Sequence, residues 1–315
     1  MTLNLHKRLE FRIPISPNEG FFAQVRFFNF ALRALGGSYS DARIRVSVGD
    51  HCDIEDVRRR NSWSEAFNVV WDRVPDDICA NFGIWGTANH RLNVPADGAD
   101  IVILSDADTA LVGDIDPLIA QFPHDVPAVR GHMAHFPPPV SGTDGPPGDT
   151  ERFWPWLFEQ FNIGWQPPHL YRYSMDAKGR LPAAPAYFNL GFVALNTVAL
   201  QIFDGQIHEV ERRIRELTQS HMRCQIAVTV IAHRAEFDIE CLPAAYNAAN
   251  DLSHAEANSL TANDIRVLHY LRLDEIDRST IFTAEHIDAF LAAPLRNPIN
   301  KRLQAIGRLF SKSIK

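Results

Sequence analysis

Cysteine is scarce. The 315 residues contain only Cys52, Cys79, Cys224 and Cys241, and no two of them form a Cys-x-x-Cys pair. That excludes a small disulfide scaffold and predicts free, structural thiols in a reducing compartment. Basic charge is not in excess either: 31 Lys plus Arg stand against 38 Asp plus Glu, a formal net charge of -7. Proteins that bind phosphate backbones are ordinarily basic, so no nucleic-acid partner is expected. There is no uncharged apolar run of membrane-spanning length. There is no apolar h-region after the first basic residues, so no signal peptide is expected and the default location is the cytoplasm. No Gly-rich, Lys/Arg-containing phosphate loop follows the first apolar segment, which argues against a nucleotidyltransferase. No internal repeat is found. What remains is ordinary globular composition, 46% hydrophobic and 22% charged, enough to bury a sizeable core.

The order of periodicities points to an α/β domain. Leu9 to Ser16 reads as a strand stopped at Pro17. Phe21, Val25, Phe28 and Leu32 share one face of a helix that ends at Gly36-Gly37. Ile44, Val46 and Val48 alternate as in a strand. A third strand is expected around Phe67 to Val74 and a helix from Asp77 to Leu92. The apolar run Ile101 to Leu104 fits a central strand covered on both faces. Pro137 to Asp149 is dense in Pro and Gly and reads as an insertion facing a cleft. FWPWLFEQF (Phe153 to Phe161) reads as an aromatic helical stretch, either part of the core or a candidate for the acceptor side of a site because aromatic faces suit sugar rings. A strand at Phe192 to Leu195, helices from about Val198 to His233 and a late strand at Ile265 to Tyr270 complete the series.

The central apolar run ends in Ser105, Asp106, Ala107 and Asp108. With 24 aspartates in the chain, chance alone gives about two Asp-x-Asp pairs. Position separates the two that follow one another here. Asp114 and Asp116 stand before Pro117-Leu118 and read as a helix N-terminus, where acidic residues complement the dipole. Asp106 and Asp108 close a strand, where two carboxylates can converge on a hard divalent cation that borrows further oxygens from a phosphate. Mn²⁺ also accepts imidazole, so His269, at the end of the Val267-Leu268 run, is the candidate third ligand. His132 and His135 would point to opposite faces of one strand, which speaks against a shared zinc site.

Five motifs in order resemble the GT-A glycosyltransferases, and most of all family eight, the glycogenin and bacterial galactosyltransferase type. They are GTANHRL, LSDADTALVGDIDPL, YFNLGFVALN, LPAAYNAAND and VLHY, spread over roughly residues 9 to 275. The resemblance implies a GT-A-like (Rossmann-like) mixed, mostly parallel sheet flanked by helices, over residues 1–280. A C-terminal helical extension, 281–315, would follow it. It implies Mn²⁺ (or Mg²⁺) on Asp106, Asp108 and His269. It puts Asn89, Arg91, Ser105, Ala107 and Gly191 against the donor, with Ser16 and Asn18 near the nucleotide base and Arg272 at the diphosphate. Asn189 would contact the donor sugar. The family's acidic-Gln-acidic triplet is here Arg223-Cys224-Gln225-Ile226, so only Gln225 is kept as a catalytic candidate.

The function so implied is metal-dependent transfer of a sugar from a nucleotide diphosphate donor, a UDP-sugar by resemblance, to a saccharide or glycolipid acceptor with retention. Two other readings compete. A haloacid-dehalogenase-type phosphatase would use Asp106 as nucleophile and Asp108 as acid/base, but Ala110 stands where that family has Thr or Val. A non-catalytic nucleotide-sugar-binding relative is suggested by the lost carboxylates beside Gln225. The tail, 295–315, carries Arg296, Lys301, Arg302, Arg308, Lys312 and Lys315 with an apolar stripe at helical spacing. It either packs on the core or makes peripheral contact with an anionic membrane, such as the inner membrane face.

Overall fold

The computed structural model describes residues 7–49, 51–83, 85–139, 150–176 and 178–314. Ten strands form two sheets: β1 (Leu9–Ile15), β2 (Arg43–Val48), β3 (Val69–Arg73), β4 (Ile101–Ser105), β5 (Thr109–Leu111), β6 (Ala128–Met133), β7 (Phe188–Asn196), β8 (Asp238–Cys241), β9 (Ala248–Ala249) and β10 (Val267–His269). The large sheet has the order β3-β2-β1-β4-β7-β6-β8. The pairs β1/β2, β2/β3, β1/β4 and β6/β8 are parallel, and only β7 runs against its neighbours. The small sheet has the order β5-β10-β9, and its β5 follows β4 in the chain.

Side-chain alternation explains the layering. In β4, Val102 and Leu104 enter one core with the helices Thr197–Thr218 and Arg223–Arg234. Ile101 and Ile103 enter the opposite core with Val25, Phe28 and Leu32 of the helix Glu19–Ala34. A strand covered on both faces has to be apolar throughout, which is why IVIL carries no polar break. β1 differs. Leu9, Phe11, Ile13 and Ile15 face the first helix, while Glu10 and Arg12 lie fully buried on the other face.

The helix expected over Asp77 to Leu92 is two helices, Asp76–Phe82 and Trp85–His90, because Gly83 takes a positive φ of 60° after the first. The helices expected from Val198 to His233 are Thr197–Thr218 and Arg223–Arg234, parted after Gln219 in the left-handed region. Cys79, Cys224 and Cys241 are free thiols, and burial pushes the Cys224 thiol up to about 12. Asp114 and Asp116 do stand at the start of a short helix, Asp116–Ala120, where Tyr39 Oη reaches both carboxylates. Of the Pro/Gly-rich segment, residues 140–149 lie outside the described residues.

Packing decides two readings that the sequence leaves open. The aromatic segment forms the helix Thr150–Gln160, but Phe153, Trp154, Leu157 and Phe158 are buried in the core and Trp154 Nε1 donates to Tyr173 Oη, so these rings are not offered to an acceptor. The tail forms the helix Pro298–Ile314, whose Ile299, Leu303 and Phe310 join a third core with Phe27, Phe282 and Phe290. Its apolar stripe is therefore used on the protein itself, and the packing gives a membrane contact no support. No helix among the described residues is long and apolar enough to cross a membrane.

Candidate active site

The two sheets meet where β4 ends. After Ser105 the Asp106 N–H donates to the carbonyl of Gly191 on β7, and the chain turns into β5. There His269 of β10 pairs in register with Thr109, one residue past Asp108. This register sets His269 Nε2 3.2 Å from Asp108 Oδ1 and 3.8 Å from Asp106 Oδ2. One ligand atom from each of the three residues lies within 4.8 Å of the others, and among the described residues this is the one group of three or more His, Cys, Asp or Glu that could hold a metal ion.

The imidazole is oriented from behind. His269 Nδ1 lies 3.0 Å from Asn247 Oδ1, while Asn247 Nδ2 donates to Asn189 Oδ1 at 2.9 Å and to the Asn189 carbonyl at 3.2 Å. Asn189 Oδ1 also accepts the Gly191 N–H at 2.9 Å. Backbone groups anchor both amides, so the oxygen of Asn247 must face the ring and Nδ1 carries a proton. Nε2 is thereby aimed at the carboxylates, as in a metal-binding histidine fixed by its outer partner. Burial alone would lower the His269 pKa, but the Asp108 charge raises it above its ordinary value. Burial would raise Asp108, yet His269 and Arg278 hold it below the usual carboxylate range. Two carboxylates and a pre-oriented imidazole are a donor set that suits Mn²⁺ or a similar divalent cation.

Around this trio is a cavity of about 730 Å³. Arg91, 2% exposed, enters from the turn after the helix Trp85–His90. Its Nη1 donates to the Ser105 carbonyl at 3.0 Å and to Asp106 Oδ1 at 3.3 Å. Pro14, Asn18, Phe21 and Gln24 line one part, and Asn189, Met222, Cys224 and Gln225 another.

No sequence family and no curated protein matches the chain. Solved structures do. The apo structure of the bifunctional glycosyltransferase WbbM aligns at TM-score 0.55 and 14% identity, over 96% of this chain and 53% of that one. Mouse xyloside xylosyltransferase 1 aligns at 0.49 and 14%, over 84% and 97%. The mannosyltransferase PcManGT of Pyrobaculum calidifontis, solved with GDP-Man and Mn²⁺, aligns at 0.46 and 11%, over 98% and 74%. The fold is GT-A. The WbbM alignment carries this statement, and at such identity it speaks of fold alone; the chain spans about half the length of the WbbM chain. In the GT-A sheet found here, β1 and β4 are the adjacent strands whose connections lead to opposite ends. The Asp106–Asp108 turn lies beyond their carboxyl ends, the usual ligand crevice of open α/β sheets.

Against this frame the sequence-derived residues fall into two groups. Asn18, Arg91, Asp106, Ala107, Asp108, Asn189, Gln225 and His269 line one cavity, and Gly191 touches His269. Ser16, Asn89, Ser105 and Arg272 do not line it. Asn89 and Ser105 are fully buried. Arg272 Nε donates to Asp251 Oδ2 at 3.0 Å. Besides Arg91, the cavity holds Arg278, whose Nη1 donates to Asp108 Oδ2. Nothing in its neighbourhood, Asp277-Arg278-Ser279, has a pattern that could have singled it out. Asn247 belonged to a matched motif, but its work on His269 is visible only in space. His132 and His135 do not lie apart: both rings approach His254, at centroid distances of 5.7 and 5.0 Å. Strand alternation fails to separate them because β6 stops at Met133, before His135.

Proposed function

We propose that this protein is a metal-dependent glycosyltransferase that moves a sugar from a nucleotide diphosphate donor to a saccharide or glycolipid acceptor. The observation that carries the reading is the convergence of Asp106, Asp108 and His269, with Arg91 behind them, in one cavity beyond the carboxyl ends of β1 and β4. Asp106, Asp108 and His269 would hold the divalent cation, which when bound neutralises charge developing on the leaving diphosphate. Arg91 adds fixed positive charge next to Asp106 and is too tightly held to reorganise during the reaction. Asn18 and Phe21, at the start of the first helix, would border the nucleoside.

Retention is what the motif resemblance supports. The cavity's carboxylates are Asp106 and Asp108, both engaged at the metal position, and the part near Gln225 offers Asn189, His221, Met222 and Cys224. An inverting enzyme needs a base for the acceptor hydroxyl, and His221 is the side chain there that could serve as one. Gln225, whose Nε2 lies 3.0 Å from Met222 Sδ, would turn its amide oxygen to the sugar and stabilise its positive charge, while Asn189, whose Oδ1 is taken by Asn247 and Gly191, would contact the sugar through its Nδ2–H. The motif resemblance to family eight supports a UDP-sugar as donor. An imidazole as the third ligand favours this reading over a phosphatase built on Asp106 and Asp108.

The test is thermal unfolding of wild type and Asp108→Asn with UDP, GDP and their sugar conjugates, with and without Mn²⁺. Ligand bound to the folded state raises the midpoint by mass action. The expected result is a rise with one nucleotide that requires Mn²⁺ and is lost in Asp108→Asn. The stabilised nucleotide sugar should then be consumed when a glycan acceptor is supplied. Binding without consumption would move the reading to a non-catalytic sugar-nucleotide-binding protein. No rise with any nucleotide in the presence of Mn²⁺ would remove the donor site altogether.

A further inference from the structure

Both oxygens of Asp108 already have partners. Oδ1 faces His269 Nε2 at 3.2 Å, and Oδ2 accepts from the guanidinium of Arg278. The second arginine of the site, Arg91, is held differently. It is 2% exposed and tied to the carbonyls of Ser105 and Leu190, so it cannot leave. The Arg278 side chain is 42% exposed and its one hydrogen bond among the described residues is to Asp108.

The backbone of Arg278 is fixed all the same. Its carbonyl accepts from Gln24 Nε2 at 2.6 Å, and Gln24 is 3% exposed on the first helix. The next residue, Ser279, sets its carbonyl so close to Gly20 that any Cβ at that position would overlap it. Asp277 closes the turn by accepting the Ser279 N–H at 3.0 Å. The segment therefore stays on the first helix while the guanidinium is free to swing within the cavity.

A divalent cation ligated by Asp108 would stand next to this guanidinium. Two like-charged groups a few ångströms apart on one carboxylate repel, and the low local dielectric of a cleft sharpens the repulsion. We propose that Arg278 and the divalent cation are alternative partners of Asp108, and that Arg278 is a positioning residue that moves from the carboxylate to the donor's diphosphate when metal and donor enter together. Arginine suits such an exchange, because its planar fork matches carboxylate and phosphate oxygens equally well. The second half of the exchange rests on the glycosyltransferase reading; the competition at Asp108 rests only on the metal site. Metal then binds weakly to the empty enzyme and tightly with the diphosphate, so that Asp108 is kept neutralised until substrate is present.

The experiment is titration with Mn²⁺ alone, free Mn²⁺ being followed by its electron paramagnetic resonance signal. Wild type, Arg278→Gln, Arg278→Lys and Asp108→Asn are compared, with circular dichroism melts to establish that each folds. Arg278→Gln should bind Mn²⁺ roughly three- to tenfold more tightly than wild type, the range expected for losing a half-exposed competing ion pair. Arg278→Lys keeps the charge and should stay within about twofold of wild type. Asp108→Asn should lose the site. Unchanged or weaker Mn²⁺ binding in Arg278→Gln, with the Asp108→Asn loss intact, would overturn the competition and leave the metal site standing. Equal tightening in Gln and Lys would also overturn it, since the effect would not be a contest between cations. Absence of Mn²⁺ binding in wild type and in both Arg278 variants would remove the metal reading and the inference together.

Discussion

Gly191 has to be glycine because His269 stands where its side chain would begin. A Cβ built there would overlap Nδ1 and Cε1 of the imidazole and press on Asn189 Oδ1. The ring cannot yield easily, since it is 5% exposed and held by Asn247 on one side and Asp108 on the other. Gly191→Ala is therefore expected to push His269 away from the carboxylates and weaken Mn²⁺ binding by about tenfold or more, with a loss of stability of about 1–3 kcal/mol. The same titration used for Arg278 measures the first effect and a denaturant midpoint the second. Gly131→Ala is the matched control. It meets Phe188 in the core and should cost stability while leaving the metal affinity of the folded protein nearly intact. At this scale the sequence was partly legible. Asp106, Asp108 and His269 were readable because each closes an apolar run, so chain position already implied a strand end. Arg278 and Gln24 were not, because their roles come from the fold bringing a turn after β10 onto the first helix.

Among the elements, β1 carries the buried charge that shapes the site. Glu10 and Arg12 face away from the first helix and are fully buried. Their ion pair is 2.7 Å long, and Arg45 of β2, in register with Arg12, adds an Nε contact to Glu10 at 3.4 Å. Arg12 also donates to the carbonyls of Arg91, Val94 and Pro95, at 2.7, 2.7 and 3.0 Å. It thus staples the 91–95 turn to the central sheet and with it the start of the Arg91 side chain. Arg12→Met leaves the buried carbonyl of Arg91, the partly buried carbonyls of Val94 and Pro95 and one side of Glu10 without this donor. The expected cost is about 3–5 kcal/mol, the size found when one partner of a buried pair is removed. Urea unfolding checks it. A cost near zero would mean that Arg43 and Arg45 fully satisfy Glu10 and that water reaches the turn. The strands that the sequence revealed, β1, β2, β3, β4, β7 and β10, are those with apolar residues at alternate or successive positions. β5, β8 and β9 are two to four residues long and too short for any period to register. β6 reads AVRGHM, with Arg130, Gly131 and His132 interrupting its pattern, and it becomes a strand because β7 and β8 flank it.

For the whole molecule, alternating strands and helices were enough to announce a mostly parallel α/β sheet, and the acidic turn marked the end of it that matters. What composition and period could not decide was whether the basic amphipathic tail belongs to the protein or to a membrane, because both destinations ask for the same apolar stripe. The packing decides by what the helix Pro298–Ile314 holds. Phe310 meets Phe27 of the first helix at a ring-centroid distance of 5.4 Å, and Leu303 is fully buried. Arg302 donates to the carbonyls of Ala262, Ile265 and Val112, the last two at 3.2 and 2.7 Å. Those carbonyls flank β10 and β5, the two strands that set His269 beside Asp108. The tail therefore supports the metal position from behind. Phe310→Ala should cost about 3–5 kcal/mol, as large-to-small changes in a packed core do. A chain ending at Asn297 should lose cooperative unfolding and Mn²⁺ binding together, since the burial removed rivals the whole stability of a domain. A tail that served a membrane would behave in the opposite way: the shortened chain would melt as sharply as wild type, keep its Mn²⁺ affinity and differ only in sedimentation with anionic vesicles. Calorimetry on the two lengths, with the Mn²⁺ titration alongside, separates these outcomes.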